Sequence, residues 1–171
     1  HVLSNTLSWV LTEMGEQELE VHPVKVSRLT TEIGELMESQ ALRKDLRIEK
    51  VIHNEDLTVN LAEKEIKIIL RNYLDNAIKF SSPGSVIYLE FLQTENSYRW
   101  NVKNGGPIIP KEKVNHLFDF TLKSSLGTQK EKGTGLGLGL CKKIASRIGF
   151  KVGYEWSADE LNTFFLEKKI E

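Results

Sequence analysis

Apolar residues recur along the chain with two distinct periods. Val26, Leu29, Ile33, Leu36, Met37 and Ala41 repeat at helical spacing and form one stripe of a helix. Ile66, Ile69, Leu70, Tyr73, Leu74, Ala77 and Ile78 cover a broad side of a second helix, predicted over 61–80. Asn60 is its expected N-cap, and Ser81-Ser82-Pro83-Gly84 is the turn that ends it. A third helix is predicted over 136–148, directly behind a run of glycines, and a short one over 111–117. Strands are predicted over 46–52, 85–93, 98–102, 151–157 and 161–168. Leu3, Leu7, Val10, Leu11 and Met14 also fall at helical spacing, but that pattern starts without a cap and in mid-repeat. Residues 1–15 are therefore expected to be the end of a longer helix, stopped at Gly15, with a linker over 16–23.

Three long helices against about five strands, closing on an antiparallel hairpin, predict an α/β protein of the α+β kind. The expected architecture is a two-layer sandwich, a mixed sheet packed on three helices, formed by residues 24–171. The absence of a repeated βαβ rhythm argues against a doubly wound fold. Composition acts mainly by exclusion. Apolar residues at 40% and charged residues at 27% are ordinary for a globular domain. A net charge of −1 without a run of Lys or Arg gives no footprint for nucleic acid. Cys141 is the single cysteine, so no internal disulfide is available. No apolar stretch approaches the ~20 residues that span a bilayer. A cytoplasmic location is expected, with any membrane anchor of the parent protein outside this chain.

Candidate chemistry sits on the second helix and on the glycines. Asn72, Asp75, Asn76 and Lys79 share a narrow stripe opposite the apolar side. Asparagine competes with its own backbone in a helix interior, so two of them one turn apart need a reason. An Asn oxygen is a hard neutral ligand suited to Mg²⁺, and a lysine one turn on neutralises a phosphate. The alternative is a solvated polar face. Gly133-Thr134-Gly135-Leu136-Gly137-Leu138-Gly139-Leu140 precedes an amphipathic helix, and glycines let backbone N–H groups approach an anion at a helix N-terminus. No Gly-Lys-Ser/Thr follows and no strand directly precedes it, so it is neither a Walker loop nor a dinucleotide fingerprint. The polar stretch KSSLGTQKEK over 123–132 is long enough to be a lid.

Taken in order, these segments resemble the GHKL superfamily, and within it the sensor histidine kinases. RNYLDNAIKF resembles the asparagine box, VKNGGPIIP the first glycine box, LFDF the phenylalanine box and GTGLGLGL the second glycine box. The resemblance implies a Bergerat-type ATP-binding domain over 24–171, with an ATP lid between the short helix and the glycine-rich helix start. It implies that Asn76 holds Mg²⁺, with Asn72 as a second ligand or water holder, and that Lys79 contacts phosphate. Gly133, Thr134, Gly135, Leu136, Gly137 and Leu138 would cradle the phosphates of ATP or ADP, with Lys123 contributing from the lid. Asn104 and Gly106 would lie at the adenine, and Phe118 and Phe120 would brace the lid.

Two positions depart from the pattern. Asn104 stands where the family has an aspartate that reads the adenine amino group, and Ile108 stands at the second glycine of that box. An Asn carbonyl still accepts that hydrogen bond, at a cost of about 1 kcal/mol from the missing charge. Relatives resembling gyrase carry a glutamate where Asn72 stands, as general base for water. Asparagine has no such basicity, whereas neutral imidazole brings its own nucleophilic lone pair. The implied function is therefore transfer of the ATP γ-phosphoryl group to a histidine, making the intact protein a histidine kinase of a two-component system. The contexts of His1, His22, His53 and His116 do not match the family's acceptor motif, so the acceptor is expected on a dimerisation hairpin outside this chain, the end of which would be residues 1–15. The implied partners are that hairpin and a response-regulator receiver domain. The full-length protein would be a homodimer, the chain alone a monomer unable to phosphorylate itself. A nucleotide sensor or scaffold without kinase activity, and a GHKL ATPase, remain the alternatives.

Overall fold

The computed structural model describes residues 15, 17–120 and 126–170. Chain order is β1 (Val21–Lys25), α1 (Val26–Leu42), β2 (Arg47–Ile52), β3 (Thr58–Ala62), α2 (Glu63–Phe80), β4 (Val86–Gln93), β5 (Ser97–Asn104), α3 (Lys111–Val114), α4 (Gly137–Arg147), β6 (Lys151–Trp156) and β7 (Asn162–Lys169). Five strands form a sheet in the order β2-β4-β5-β7-β6, with β2 parallel to β4 and every other neighbour antiparallel. The mixed sheet carries α1, α2 and α4, as expected for the two-layer sandwich, and α3 adds a short fourth helix.

The period-two pattern determines which sheet face is dry. Ile48, Ile87, Leu89, Phe91, Tyr98, Trp100, Val102, Phe164 and Leu166 are buried in the core formed with the helices. Trp100 lies at its centre, 4.8 Å from the Phe91 ring, and its indole N–H donates to Thr30 Oγ1 at 3.0 Å on α1. Thr30 in turn donates to the Val26 carbonyl, so this buried polar pair is satisfied. Tyr73 OH on α2 donates to the Phe165 carbonyl of β7 at 3.0 Å, tying the middle of that helix to the sheet.

Three local expectations are corrected. Leu36 does not join the buried stripe of α1; it is 63% exposed, while Val26, Leu29, Ile33, Met37 and Ala41 are buried. Asn60 caps nothing. It lies in β3 opposite Pro23 of β1, and α2 begins at Glu63 without a side-chain cap. The stretch read as a linker contains the start of β1, which pairs with β3 from Val21↔Ala62 to Lys25↔Thr58. These strands run directly into α1 and α2, and the Leu57 carbonyl accepts from the Val26 amide in place of a cap.

Where the two strands feed the two helices, Glu63 gathers Arg28, Lys67 and the His22 ring. Its carboxylate accepts from Arg28 at 3.0 Å and His22 at 2.9 Å, and pairs with Lys67 at 2.8 Å. The hydrogen bond from Arg28, aided by Lys67 and His22, outweighs burial and holds the Glu63 carboxyl down at about 2. A depressed carboxylate contributes stability that is fully present above its unfolded value, near 4.5, and is lost as pH falls through about 2. Glu63→Gln is expected to lower the melting temperature at about pH 7 by roughly 2–4 °C, for about 1 kcal/mol. The difference from wild type should shrink in melts run between about pH 4.5 and about pH 2. A gap of constant size would assign the loss to packing instead.

Candidate functional site

The polar side of α2 is divided among three neighbours. Asn72 stands against the first residue of α4: a methyl group added to Gly137 would lie 2.5 Å from Asn72 Oδ1 and 2.7 Å from its Nδ2. Only glycine lets the helix start come this close. Asp75 instead accepts from Gln40 on α1 at 3.0 Å and so serves helix–helix packing rather than the glycine segment. Asn76, one turn beyond Asn72, is half-buried.

Lys79 lies beside the polar stretch that leads to the glycines. Its carbonyl accepts from the Thr128 amide at 3.0 Å, and Thr128 Oγ1 donates to the Ser81 carbonyl at 2.9 Å. The Gly127 backbone packs against the Lys79 stem, where an added Cβ would meet Lys79 Cγ at 2.6 Å. The Lys79 ammonium is 4.9 Å from the centre of the Phe80 ring. Burial lowers its pKa, with the Glu131 charge acting in the opposite direction.

At the start of α4 no side chain caps the helix, and Gly135 takes φ +73°, a left-handed backbone suited to glycine. Amides of the first helical turn have no partner within their own helix, which leaves Gly137 and Leu138 with donors at the positive end of the dipole, while Gly139 is buried. Thr134 Oγ1 accepts from the Leu136 amide at 3.3 Å, so that hydroxyl shapes the loop. Gly133 is exposed and Leu136 and Leu138 are half-buried.

Asn104 ends β5 and is buried at 4% exposure. Its Nδ2 donates to the Gly105 carbonyl at 2.8 Å, which leaves Oδ1 as the acceptor end of the amide. Gly106 follows at φ +127° and passes the Phe80 carbonyl at the end of α2. Two residues not read from the sequence steady this loop. Tyr154 OH donates to Asn162 Oδ1 at 2.7 Å and accepts from the Ile109 amide, while Asn162 Nδ2 donates to the Pro107 carbonyl. Exposed Ile108 is thus flanked by two anchored neighbours. Their partners lie some 45 to 55 positions apart in the chain, a pairing that no local pattern carries.

Phe118 sets its ring 6.3 Å from Phe164 over the sheet. Phe120 is 39% exposed and its ring lies beside Gly139, where an added Cβ would be 2.8 Å away. Both phenylalanines therefore connect the region after α3 with the sandwich. Lys123 lies outside the described residues, as does His1. His53 and His116 have exposed side chains, paired with Glu90 and Asp119.

The assembled groups fit a metal-bound polyphosphate. Uncapped amides suit anionic oxygens, and Lys79 lies at the opposite end of the stripe. Among the described residues, no group of three or more His, Cys, Asp or Glu side chains is placed to hold a metal. A hard cation here depends on amide oxygens, water and ligand phosphates, as Mg²⁺ commonly does. The family model for the histidine kinase-, DNA gyrase B- and HSP90-like ATPases matches residues 62–169. The chain belongs to this family. Within the HATPase family, its fold is that of histidine kinase catalytic domains. It superimposes on the catalytic domain of histidine kinase ThkA with a TM-score of 0.75 at 30% identity, covering 88% of this chain and 95% of that one. A structure of ThkA in complex with the response regulator protein TrrA matches with a TM-score of 0.74 at 26% identity, covering 98% of this chain and 49% of that one. The adaptive-response sensory kinase SasA of Crocosphaera subtropica is 35% identical over 132 residues, 74% of this chain and 34% of that protein. The chain spans about a third or less of the length of the curated relatives it matches. As an ATP-binding HATPase domain, it brings together the stripe of α2 and the start of α4.

The close approach at Gly137 makes a direct prediction. Gly137→Ala should displace the Asn72 side-chain amide and destabilise the fold by about 1–3 kcal/mol, as overpacking does. Gly105→Ala meets open space and should change little. Thermal melts together with the Asn72 side-chain amide resonance would separate the two, and an unmoved Asn72 signal in Gly137→Ala would refute the contact.

Proposed function

We propose that this chain binds Mg-ATP between α2 and the segment from Phe118 to α4, and serves as the catalytic domain of a two-component sensor histidine kinase. The observation that carries the reading is the seating of uncapped α4 against Asn72. Asn76 and Asn72 hold Mg²⁺, which supplies charge neutralisation at the phosphates. Lys79, with Lys123 from the lid, neutralises phosphate charge. The amides of Gly133, Gly135, Leu136, Gly137 and Leu138 cradle the phosphates, with Thr134 shaping their loop. Asn104 Oδ1 accepts from the adenine amino group, its orientation held by the bond from Nδ2 to Gly105, with Gly106 making the turn beneath the base. Phe118 and Phe120 brace the lid.

In the intact protein the γ-phosphoryl group passes to a histidine on a dimerisation hairpin; residues 1–14, the expected end of that hairpin, lie outside the described residues. Positioning and charge neutralisation supply most of the catalysis, as in phosphoryl transfer generally. Asn72 favours a histidine acceptor because an amide cannot deprotonate water. A response-regulator receiver domain takes the phosphoryl group next, a reading supported by the ThkA–TrrA complex. The domain works in the cytoplasm, where ATP is available. Among the described residues no helix is long and apolar enough to cross a membrane.

Calorimetric titration with Mg-ATP is expected to show one site, lost or nearly lost in Asn76→Ala and tightened several-fold in Asn104→Asp. Absence of heat at millimolar nucleotide would reject the reading. Incubation of the chain alone with radiolabelled ATP should leave no stable label on His22, His53 or His116. Steady phosphate release abolished by Asn76→Ala would point to an ATPase instead.

A further inference from the structure

A buried lysine outside the four motifs fastens the polar stretch to the asparagine helix. Lys44 lies in the turn between α1 and β2, and its side chain is only 5% exposed. Its ammonium donates to the Ile78 carbonyl at 2.9 Å, the Lys79 carbonyl at 2.8 Å and Glu131 Oε1 at 2.6 Å. A lysine has three donors, and here each has an acceptor. Two acceptors are terminal carbonyls of α2, where helix geometry leaves C=O groups without partners and the dipole favours a cation. The third comes from the far end of the polar stretch, 87 positions along the chain.

The turn that carries Lys44 is itself held. Lys44 and Asp45 donate from their amides to Ala41 and Leu42, Asp45 takes φ +55°, and its carbonyl accepts from Gly84 at 2.8 Å. The opposite arm carries hydrogen bonds of its own. Gly127 donates to the Glu131 carbonyl, Lys130 donates to Gly127, and Glu131 Oε2 accepts from the Gln129 amide at 2.8 Å. Burial raises the Glu131 carboxyl, but the hydrogen bond from Lys44 and those from backbone amides bring it below its usual value. Lys79 supplies the shared point, because its carbonyl accepts from both Lys44 and Thr128.

We propose that Lys44 is a positioning residue for nucleotide binding, holding residues 127–131 against the last turn of α2 through Glu131. That turn carries Lys79 and follows directly on Asn76, and the glycine segment begins two residues beyond Glu131. The latch sets the distance between the lid's distal arm and the phosphate-binding groups before a ligand arrives. This role rests on the Mg-ATP reading above, and two measurements keep the two claims apart.

Hydrogen exchange of the ligand-free chain reads the latch alone. Lys44→Met keeps the apolar stem and removes the charge. It is expected to speed exchange at the Gly127 and Thr128 amides while the interiors of α1 and α2 stay protected. Mg-ATP affinity should fall about ten-fold in Lys44→Met and about three-fold in the half-buried and milder Glu131→Gln. The double variant should lose no more than Lys44→Met, because both act through one contact. Lys64→Met, which removes only an exposed pair with Glu20, should bind like wild type. Additive losses, unchanged exchange at residues 127 and 128, or exchange spreading through α1 and α2 would each overturn the positioning role. Equal nucleotide binding by wild type and Lys44→Met would remove this role alone, whereas a wild-type chain that takes no nucleotide would remove the functional reading beneath it.

Discussion

The architecture of the site depends on one close approach, the first residue of α4 against the side-chain amide of Asn72. No Cβ fits there, so the helix start and the polar stripe of α2 meet without an intervening side chain. Two surfaces that are each rich in hydrogen-bonding groups thereby lie side by side, one ending in uncapped amides and the other in amide oxygens and a lysine. Neither alone distinguishes a binding site from a solvated loop and a solvated helix face. Their juxtaposition supplies donors for anionic oxygens and acceptors for a cation within one region.

That juxtaposition is imposed from the sheet. Tyr73 anchors the middle of α2 to β7, and buried Ile144, Ala145 and Cys141 seat α4 in the same core. Trp100, bonded to Thr30 and packed on Phe91, fixes α1 over the central strands. Close-packed interiors resist small displacements, so the polar surfaces inherit their spacing from the apolar ones. The loop after β5 is held by different means. Tyr154 and Asn162 brace it with side-chain hydrogen bonds, a stiffer arrangement than a second glycine at Ile108 would offer.

Much of this was legible in the residues. The helical stripes gave α1, α2 and α4 to within a few positions, and the alternating stretches gave all five strands of the main sheet. The β1–β3 pair escaped because each strand is only five residues long, β1 mostly exposed and β3 ending in two buried residues, so neither shows a clean alternation. Pro23 and Asn60, both poor strand residues, face one another in that pair. Asparagine favours helix starts, which makes Asn60 resemble a cap, but here the strand runs straight into the helix. Leu36 fits the spacing of a buried stripe but falls on an edge of α1 left exposed among the described residues.

What the sequence determined alone was the order of elements, the dry face of each and the residue types able to meet phosphate and metal, because these follow from local periodicity and side-chain chemistry. Tertiary structure decided which of those residues share a space. It turned Asp75 toward Gln40 while leaving Asn72 at Gly137, and it brought Lys44 to Glu131 and Tyr154 to the loop after Asn104. Such pairings join positions tens of residues apart, and chain connectivity carries no information about them until the core has packed.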